Sequence, residues 1–458
     1  MAKKKSIFED VLEAPSIALE KTAEMAEKIE HSITDQKIIK GSGDYFKKLG
    51  PGLVSGAADD DPSGIATYSQ TGAQYGTSLL WLAAWTFPLM AVIQEMCARI
   101  ALVTGRGLAS NIKSNYSKKI LYFCTALLFL ANTLNIGADL GAMAKAIQLI
   151  LPMLNFTSLI IIIGLFGLLL QVFIPYQKYA GYLKWLSIAL LSYVATGIII
   201  HMDWSVLLHD AFIPNMHFGK SEILLVVGIL GTTISPYLFF WETGQEVEEQ
   251  IAEGKTTALS RKGTNDEEIK KMRIDIWSGM FLSNIVMFFI IAVCATTLFK
   301  NGITNIGTAA DAAQALAPLA GQWAFLLFTI GIIGTGMLAI PVLAGSTSYA
   351  ISECFGWKEG LYRKLNEARA FYGVIIISTI LGIAINFIGI DPIKALIYSA
   401  IFNGMVAPVI LFFIVRLSSN HKIMGKYKNS KLSSAVGWFI MIIMKIASVA
   451  AMISLIFG

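Results

Sequence analysis

Long apolar runs follow one another along almost the whole chain, and each is about as long as a bilayer-crossing helix of roughly 20 residues. Short polar segments separate these runs. In the first and the sixth run Gly and Pro interrupt the apolar pattern, so both are expected to be broken helices. The pattern predicts an all-α integral membrane protein with about 11 transmembrane helices. The predicted spans lie near residues 49–74, 78–104, 119–151, 156–175, 179–201, 221–248, 274–299, 321–352, 370–388, 392–415 and 434–457.

Composition and charge support this interpretation and orient the chain. Of the 458 residues 55% are hydrophobic and 15% are charged, whereas soluble domains carry about 25% charged residues. Most of the 36 Lys and Arg fall in every second connection, and the opposite loops hold only Lys220, Lys300 and Lys394. This asymmetry predicts a multi-pass protein of the cell inner (cytoplasmic) membrane, with a cytoplasmic N-terminus and an external C-terminus. The basic residues are scattered over short loops, so no nucleic-acid surface is expected.

The two predicted breaks divide the chain into repeats. One break falls at Asp61-Pro62 and the other within GTTISPY, Gly231–Tyr237, and five spans separate them. Interrupted helices in corresponding positions are typical of inverted repeats with a binding site between them, and an odd offset reverses the membrane orientation. The predicted units are a cytoplasmic tail over 1–45, a first repeat with helices 1–5 over 46–205, a second repeat with helices 6–10 over 206–418, and a loop with helix 11 over 419–458.

Three consecutive acids, Asp59, Asp60 and Asp61, lie at the first break. A charge at mid-bilayer costs about 2.5–3.5 kcal/mol, so such residues usually face a cavity, a partner or a transported ion. Open backbone at membrane depth is tolerated where it is buried in protein or lines a watery cavity. Acids and break together predict a cation site. Adjacent side chains point to different faces, so all three cannot bind one ion directly, and capping of the broken helix is the alternative role.

The stretch GPGLVSGAADDDPSG, Gly50–Gly64, resembles the Nramp family of divalent-metal transporters. That family begins its first span with GPG and has Asp-Pro-Gly-Asn 11 residues later, a spacing that this chain keeps with Asp61-Pro62-Ser63-Gly64. The segments TGAQYG, ARIALVTGRGLA and GTTISPY are also similar to Nramp segments. The resemblance implies a leucine-transporter-like fold of two inverted five-helix repeats, transport by alternating access, and no enzymatic activity.

The resemblance also implies a metal site, which departs from the family at several positions. It places the carboxylate of Asp61, the carbonyls of Ala58 and Thr232, and Ser235 at the ion. Gly64 replaces the family's asparagine, Ser235 its methionine and Tyr237 its histidine. In the tenth span the family's Ser-Gln becomes Ser399-Ala400, and Asn403 offers a nearby polar group. Further site-lining or pathway groups are Asp59, Asp60, Gly64, Tyr237, Glu242 and Asn403, although a serine packed at a helix break and a loop-facing Glu242 are the alternatives.

These departures bear on the choice of ion. A thioether favours softer transition metals, whereas an all-oxygen site suits Mg²⁺, Ca²⁺ or Mn²⁺. The small residues Gly64 and Ser235 are expected to widen the cavity, and Mg²⁺ usually keeps several of its waters. The pattern resembles the Nramp-related magnesium transporter branch, so Mg²⁺ is the predicted substrate, with Mn²⁺ also carried. No cofactor is expected, because the divalent cation is the transported substrate, and the other partner is the lipid bilayer.

Proton coupling is expected to be weak or absent. Nramp proton transport relies on an acidic pair in the third span, and alignment around Gly141 places Asn135 and Ala138 at those positions. Asp139 is one position off and is expected on another face of the helix. Asp139, Lys145 or Glu242 could still serve as a relay.

Two alternatives remain open from the sequence. One is a proton-coupled Mn²⁺/Fe²⁺ transporter of the same family. The other is a carrier of amino acids or other organic solutes on the same fold, which would need a free half-helix N-terminus for a substrate carboxylate. The three carboxylates at the first break argue against an anionic solute at that place.

Overall fold

The computed structural model describes residues 51–174 and 190–457, and in these ranges the regular elements are all helical. The predicted tail over 1–45 and the first part of the fifth predicted span, residues 179–189, lie outside them. The helices are α1 Pro51–Asp59, α2 Pro62–Tyr75, α3 Trp81–Thr104, α4 Leu108–Asn115, α5 Lys118–Ile150, α6 Phe156–Phe173, α7 Leu191–Ile199, α8 Trp204–Phe212, α9 Lys220–Thr233, α10 Pro236–Ala252, α11 Asp266–Thr297, α12 Ala309–Gln314, α13 Ala317–Ala320, α14 Ala324–Phe355, α15 Arg369–Ile385, α16 Pro392–Ser418, α17 His421–Met424 and α18 Lys431–Phe457.

Both predicted helix breaks are confirmed. The first falls between α1 and α2, where Asp61 caps α2 and Pro62 takes its first position. The second falls between α9 and α10, where Ser235 precedes Pro236 at the first position of α10. Proline begins a helix well, because its missing N–H would have no partner within the helix and its φ is already helical. The same residue cannot continue a helix from the preceding turn, which is why each span stops here.

Nine helical segments of the described ranges are long and apolar enough to cross a membrane. Helices α1 and α2, which form the broken first span, are each too short to cross a membrane alone, and so is α7, the described part of the fifth span. The count of 11 spans therefore stays a prediction. Many exposed side chains on these helices are large and apolar, for example Phe166, Leu169 and Ile446. Such a surface suits hydrocarbon rather than water.

The broken helices are held by close backbone contacts. α1 packs on α11, where Gly52 lies against the Ile276 backbone and Gly56 against the backbone of Gly279. A Cβ at Gly56 would collide with the Gly279 carbonyl. Small residues permit such close approach between membrane helices, where packing replaces the hydrophobic effect as the driving force.

The second break is held in the same way. α9 packs on α16, and Gly231 lies against the Ala400 carbonyl and the Gly404 backbone. α5 packs on both α14 and α16, so that third-span side chains reach the first break. The first break therefore lies between α5, α11 and α16, and α16 also packs against the second.

Candidate functional site

Asp61 accepts more hydrogen bonds than the other two acids of the first break. Its Oδ1 accepts hydrogen bonds from Ser63 Oγ at 2.6 Å and from the Gly64 amide at 2.8 Å. Its Oδ2 accepts one from Asn135 Nδ2 on α5 at 2.8 Å. Only 1% of the residue is exposed. The carboxylate thus caps α2, the alternative role considered from the sequence, and is held from outside its own helix as well.

Asn135 connects the first break to the tenth span. While its amide nitrogen donates to Asp61, its Oδ1 accepts a hydrogen bond of 2.7 Å from Ser399 Oγ on α16. The sequence reasoning considered Asn135 only as a missing acid and did not predict this contact. Its position in the third span, where Nramp proteins carry an acid, was the available signal. The tenth span therefore reaches Asp61 through Ser399 and Asn135.

Asp59 and Asp60 point away from Asp61 towards α11. Ser283 Oγ on that helix donates to Asp59 Oδ2 at 2.6 Å and lies 3.2 Å from Asp60 Oδ1. Asp59 Oδ1 is buried without a hydrogen-bond partner. Within the described ranges no three His, Cys, Asp or Glu side chains converge on one metal position. The geometry agrees with the expectation that the three acids cannot share one ion.

The sixth-span break offers hydroxyl and carbonyl oxygens. Ser235 Oγ donates to the carbonyls of Gly231 at 2.5 Å and Thr232 at 2.7 Å. The Tyr237 hydroxyl donates to the Ala58 carbonyl at 3.2 Å, which ties the two breaks together. Each predicted carbonyl ligand, that of Ala58 and that of Thr232, therefore already accepts one hydrogen bond. A carbonyl oxygen has two lone pairs, so one remains on each for an ion.

The site is closed and packed, which corrects the expectation of a wide cavity. A Cβ at Gly64 would lie 3.3 Å from the Tyr68 ring, so Tyr68 occupies the space beside Gly64. The Thr232 hydroxyl lies 3.2 Å from the Tyr68 hydroxyl. Tyr68, Tyr237 and Ser235 are all fully buried or nearly so. In this conformation the aromatic side chains fill the room that the small residues leave.

Asp139 lies near the site, contrary to the sequence expectation. It follows Asn135 by four residues, about one helical turn, and is therefore on the same face of α5. The charge of Asp61 acts on Asp139, and the charge of Asp139 acts on Tyr237. The side chain is fully buried, and neither carboxylate oxygen has a hydrogen-bond partner. The one-position offset in the alignment did not turn this acid away from the site.

Glu242 and Asn403 lie farther from Asp61. Glu242 Oε2 accepts a hydrogen bond of 2.5 Å from Ser55 Oγ, and its Oε1 is buried without a hydrogen-bond partner. Ser55 is one turn before Asp59 on α1, so Glu242 lies beyond the break rather than in it. Asn403 is buried on α16 beside Gly404, and its Oδ1 has no hydrogen-bond partner.

Comparisons with known proteins agree with the helix arrangement. The chain is 27% identical over 419 residues to a protein called divalent metal cation transporter MntH from Caldanaerobacter subterraneus subsp. tengcongensis, covering 86% of this chain and 89% of that protein. It is 27% identical over 411 residues to the Bacillus subtilis (strain 168) protein of the same name, covering 88% of this chain and 91% of the relative.

Solved structures show the fold. The chain superposes on the Eremococcus coleocola manganese transporter with a TM-score of 0.71 and 18% identity, covering 92% of this chain and 91% of that one. MHP1, a nucleobase-cation-symport-1 family transporter, gives a TM-score of 0.54 at 14% identity and covers 89% and 91%. The predicted fold class, an all-α leucine-transporter-like fold with two inverted five-helix repeats and broken first and sixth helices, is confirmed.

A family profile decides the assignment. The profile described as Nramp, natural resistance-associated macrophage protein-like, matches residues 52–454, which include both breaks and every described helix from α2 to α17. The resemblance seen at Gly50–Gly64 is thereby confirmed. The chain belongs to the Nramp family, whose members are transporters and not enzymes, as the sequence predicted.

Proposed function

We propose that this chain carries divalent cations across the membrane by alternating access, with Mg²⁺ as the main substrate, Mn²⁺ as a second one, and weak or no proton coupling. The names of the relatives, divalent metal cation transporter and manganese transporter, support a divalent cation in general. They also make proton-coupled Mn²⁺ or Fe²⁺ transport the main alternative. An organic solute loses support, since the family match covers both halves of the candidate site.

The observation that carries the proposal is that the candidate ligands around the two breaks are all oxygens. The ion would bind this carboxylate, the free lone pairs of the Ala58 and Thr232 carbonyls, and Ser235, with Asp59 and Asp60 acting from a distance. Ser235 stands where a soft sulfur would select transition metals. Hard oxygen ligands suit Mg²⁺ and Mn²⁺, and Mg²⁺ needs only one or two carboxylates because it retains waters.

Release of two hydrogen bonds would open further ligand positions to the ion. Ser235 now donates to the Thr232 carbonyl, and Tyr237 to the Ala58 carbonyl. Rotation of these two hydroxyls would free lone pairs on the carbonyls and, for Ser235, an oxygen ligand. The side chains are buried, so the described state is closed to both sides, and an opened state must precede binding.

Weak proton coupling follows from Asn135. An amide in contact with Asp61 cannot take up or release a proton, unlike an acid in the same place. Asp139 is the specific observation in favour of the coupled alternative, since a buried carboxylate without a partner near Asp61 is a group that could carry a proton. The orientation we propose has the N-terminus of the chain and the C-terminal end of α10, near Ala252, facing the cytoplasm.

Uptake into proteoliposomes containing a pH dye tests the proposal. We expect uptake of Mg²⁺ and Mn²⁺, driven by the membrane potential, without acidification of the lumen. Acidification that depends on the metal would reject weak coupling. Uptake of Mn²⁺ with Mg²⁺ neither moving nor competing would reject the substrate assignment.

A further inference from the structure

One lysine lies on the outer, apolar face of the last helix. Lys445 on α18 is exposed, and its neighbours on the same face, Ile442, Ile446 and Val449, are exposed and apolar. α18 has 27 residues, and Lys445 lies about 21 Å along the helix from Lys431 at its start. The hydrocarbon core of a bilayer is about 30 Å thick, so Lys445 lies near the middle of the membrane.

A charge at this depth is costly without a partner. Charged residues within membrane spans are rare, and almost all of them face the bundle interior or pair with another group. Arg99 and Lys145 follow this rule. The Arg99 guanidinium lies 3.7 Å from the Glu95 carboxylate, and the Lys145 ammonium lies 4.9 Å from the centre of the Phe156 ring. Lys445 has no hydrogen bond, ion pair or ring contact with the residues that the structure describes.

The packing of α18 holds Lys445 on this outer face. The inner face of the helix packs on α9 and α16, where Gly437 lies against the Val415 side chain and Ser448 Oγ donates to the Gly404 carbonyl at 3.0 Å. Ser448 follows Lys445 by three residues and is therefore in the same helical turn. The helix cannot turn Lys445 inward without losing these contacts.

Lipid headgroups lie too far away to neutralise Lys445. Lysines near the ends of membrane helices extend their side chains to the headgroups. From the middle of the bilayer the nearest headgroup is about 15 Å away, half the thickness of the hydrocarbon core. A lysine side chain with four methylene groups is much shorter than this distance. The matching negative group is therefore expected at the same depth as the lysine.

A second copy of this chain does not offer such a group. In the described spans every acid beyond the first helical turn is buried or half-buried, and residues 175–189 contain no acid. The half-buried ones, Glu249 and Asp275, lie in the last turn of α10 and the first third of α11, away from the helix centres. A symmetric contact between two α18 helices would also bring two Lys445 ammonium groups together, and like charges repel.

We propose that the outer face of α18 around Lys445 binds a membrane-spanning helix of another protein, and that an Asp or Glu at the middle of that helix pairs with Lys445. Opposite charges attract strongly where water is excluded, and the apolar side chains beside Lys445 supply the rest of the contact. This inference goes beyond the proposed function, because it holds whichever ion the chain carries.

A defined peptide tests the charge pairing. The purified chain, with benzoylphenylalanine as a photo-reactive residue in place of Ile446, is reconstituted in phosphatidylcholine vesicles with a Leu-rich single-span peptide that has one central Glu. We expect this peptide to cross-link several-fold more than the same peptide with a central Gln. Lys445→Arg should keep the difference, Lys445→Leu should remove it, and Lys445→Glu should favour a peptide with a central Lys. Equal cross-linking of the Glu and Gln peptides to the chain with Lys445 would overturn the proposal.

The same photo-reactive residue in the membranes of the source organism tests whether such a partner exists. We expect a cross-linked protein with Asp or Glu at mid-span, whose cross-link disappears in Lys445→Leu and returns in Lys445→Arg. The control places the photo-reactive residue at Leu169, an exposed apolar position of α6, which packs on α5 and α15, and it should not give this cross-link. Cross-links to lipid alone, to a second copy alone, or to a protein that Lys445→Leu does not affect would each overturn the proposal.

Discussion

The two helix breaks use opposite chemistry at corresponding positions of the inverted repeats. At the first break Asp61 contributes a full charge, which Ser63, Gly64 and Asn135 hold with three hydrogen bonds. At the second break Ser235 contributes only a neutral hydroxyl, which bonds back to its own helix. If the proposed transport site is right, the first break would supply the attraction for a cation, and the second would supply its selectivity.

The largest effect on ion uptake is expected from a substitution at the first break, which carries the charge. Asp61→Ala should abolish uptake of Mg²⁺ and Mn²⁺, because the remaining oxygen ligands of the site are neutral. Proteoliposome uptake measures this loss, and size-exclusion chromatography with a thermal unfolding curve checks the fold. Loss of the α2 cap costs about 0.5–2 kcal/mol of stability, which should be visible as a modest shift. Near-normal uptake would show that Asp61 is only a cap.

The next effect concerns the group that orients this charge. Asn135→Ala removes the hydrogen bond to Asp61 Oδ2 and the acceptor for Ser399. Removing a partner that orients a ligand typically costs about 10-fold to 100-fold in metal affinity. We expect the Mg²⁺ concentration that gives half-maximal uptake to rise by a factor of this size. Ser399→Ala, one bond farther away, is the control and should change this concentration much less.

Asn135→Asp also tests proton coupling at the same position. It places a titratable acid beside Asp61, and we expect metal uptake to move protons that the unsubstituted protein does not move. A pH dye inside the liposome reports this flux. If the dye reports no change of pH in either protein, an acid at this position is not enough for proton coupling.

A smaller effect is expected from the neutral half. Ser235→Met introduces a soft sulfur, which should shift the preference from Mg²⁺ towards Mn²⁺ and softer metals by about tenfold, or about 1.4 kcal/mol. Competition between Mg²⁺ and Mn²⁺ during uptake measures the ratio. Ser235→Ala is the control, because it removes the hydroxyl without adding sulfur. An unchanged ratio in Ser235→Met would show that this side chain does not line the site.

The smallest effect concerns the packing between the breaks. Tyr68→Phe removes the hydroxyl that lies 3.2 Å from the Thr232 hydroxyl and leaves the ring beside Gly64 in place. A single neutral hydrogen bond contributes about 0.5–1.5 kcal/mol to stability. The unfolding temperature should therefore fall slightly, while the ion preference stays the same. Thermal unfolding and the same competition assay measure both quantities. A changed ion preference would instead give the Tyr68 hydroxyl a direct role at the ion.

Sequence reasoning succeeded where local chemistry decides the structure. Pro62 and Pro236 cannot continue a helix, so both breaks could be placed within a few residues. The spacing from Gly50 also selects Asp61 as the candidate ion ligand, which stays a prediction. These features depend on neighbours along the chain.

Sequence reasoning did not predict the contacts between residues far apart along the chain. The Asn135 bond to Asp61 spans 74 positions, and the Tyr237 bond to Ala58 spans 179. The filling of the space beside Gly64 by Tyr68 depends on the direction of a side chain one turn away. Asp139 was misplaced because an alignment offset was taken for a change of helix face. None of these contacts has a signature in composition or periodicity.

Two acids from neighbouring helices hold the first half of the short helix α1. Glu242 accepts from Ser55, and Asp275 accepts from the Gly52 amide at 2.7 Å. α1 is thus tied to α10 through one hydrogen bond and to α11 through another. Any movement of α1 away from these two helices would have to break both bonds, so the first half of the broken span and its neighbours resist separation.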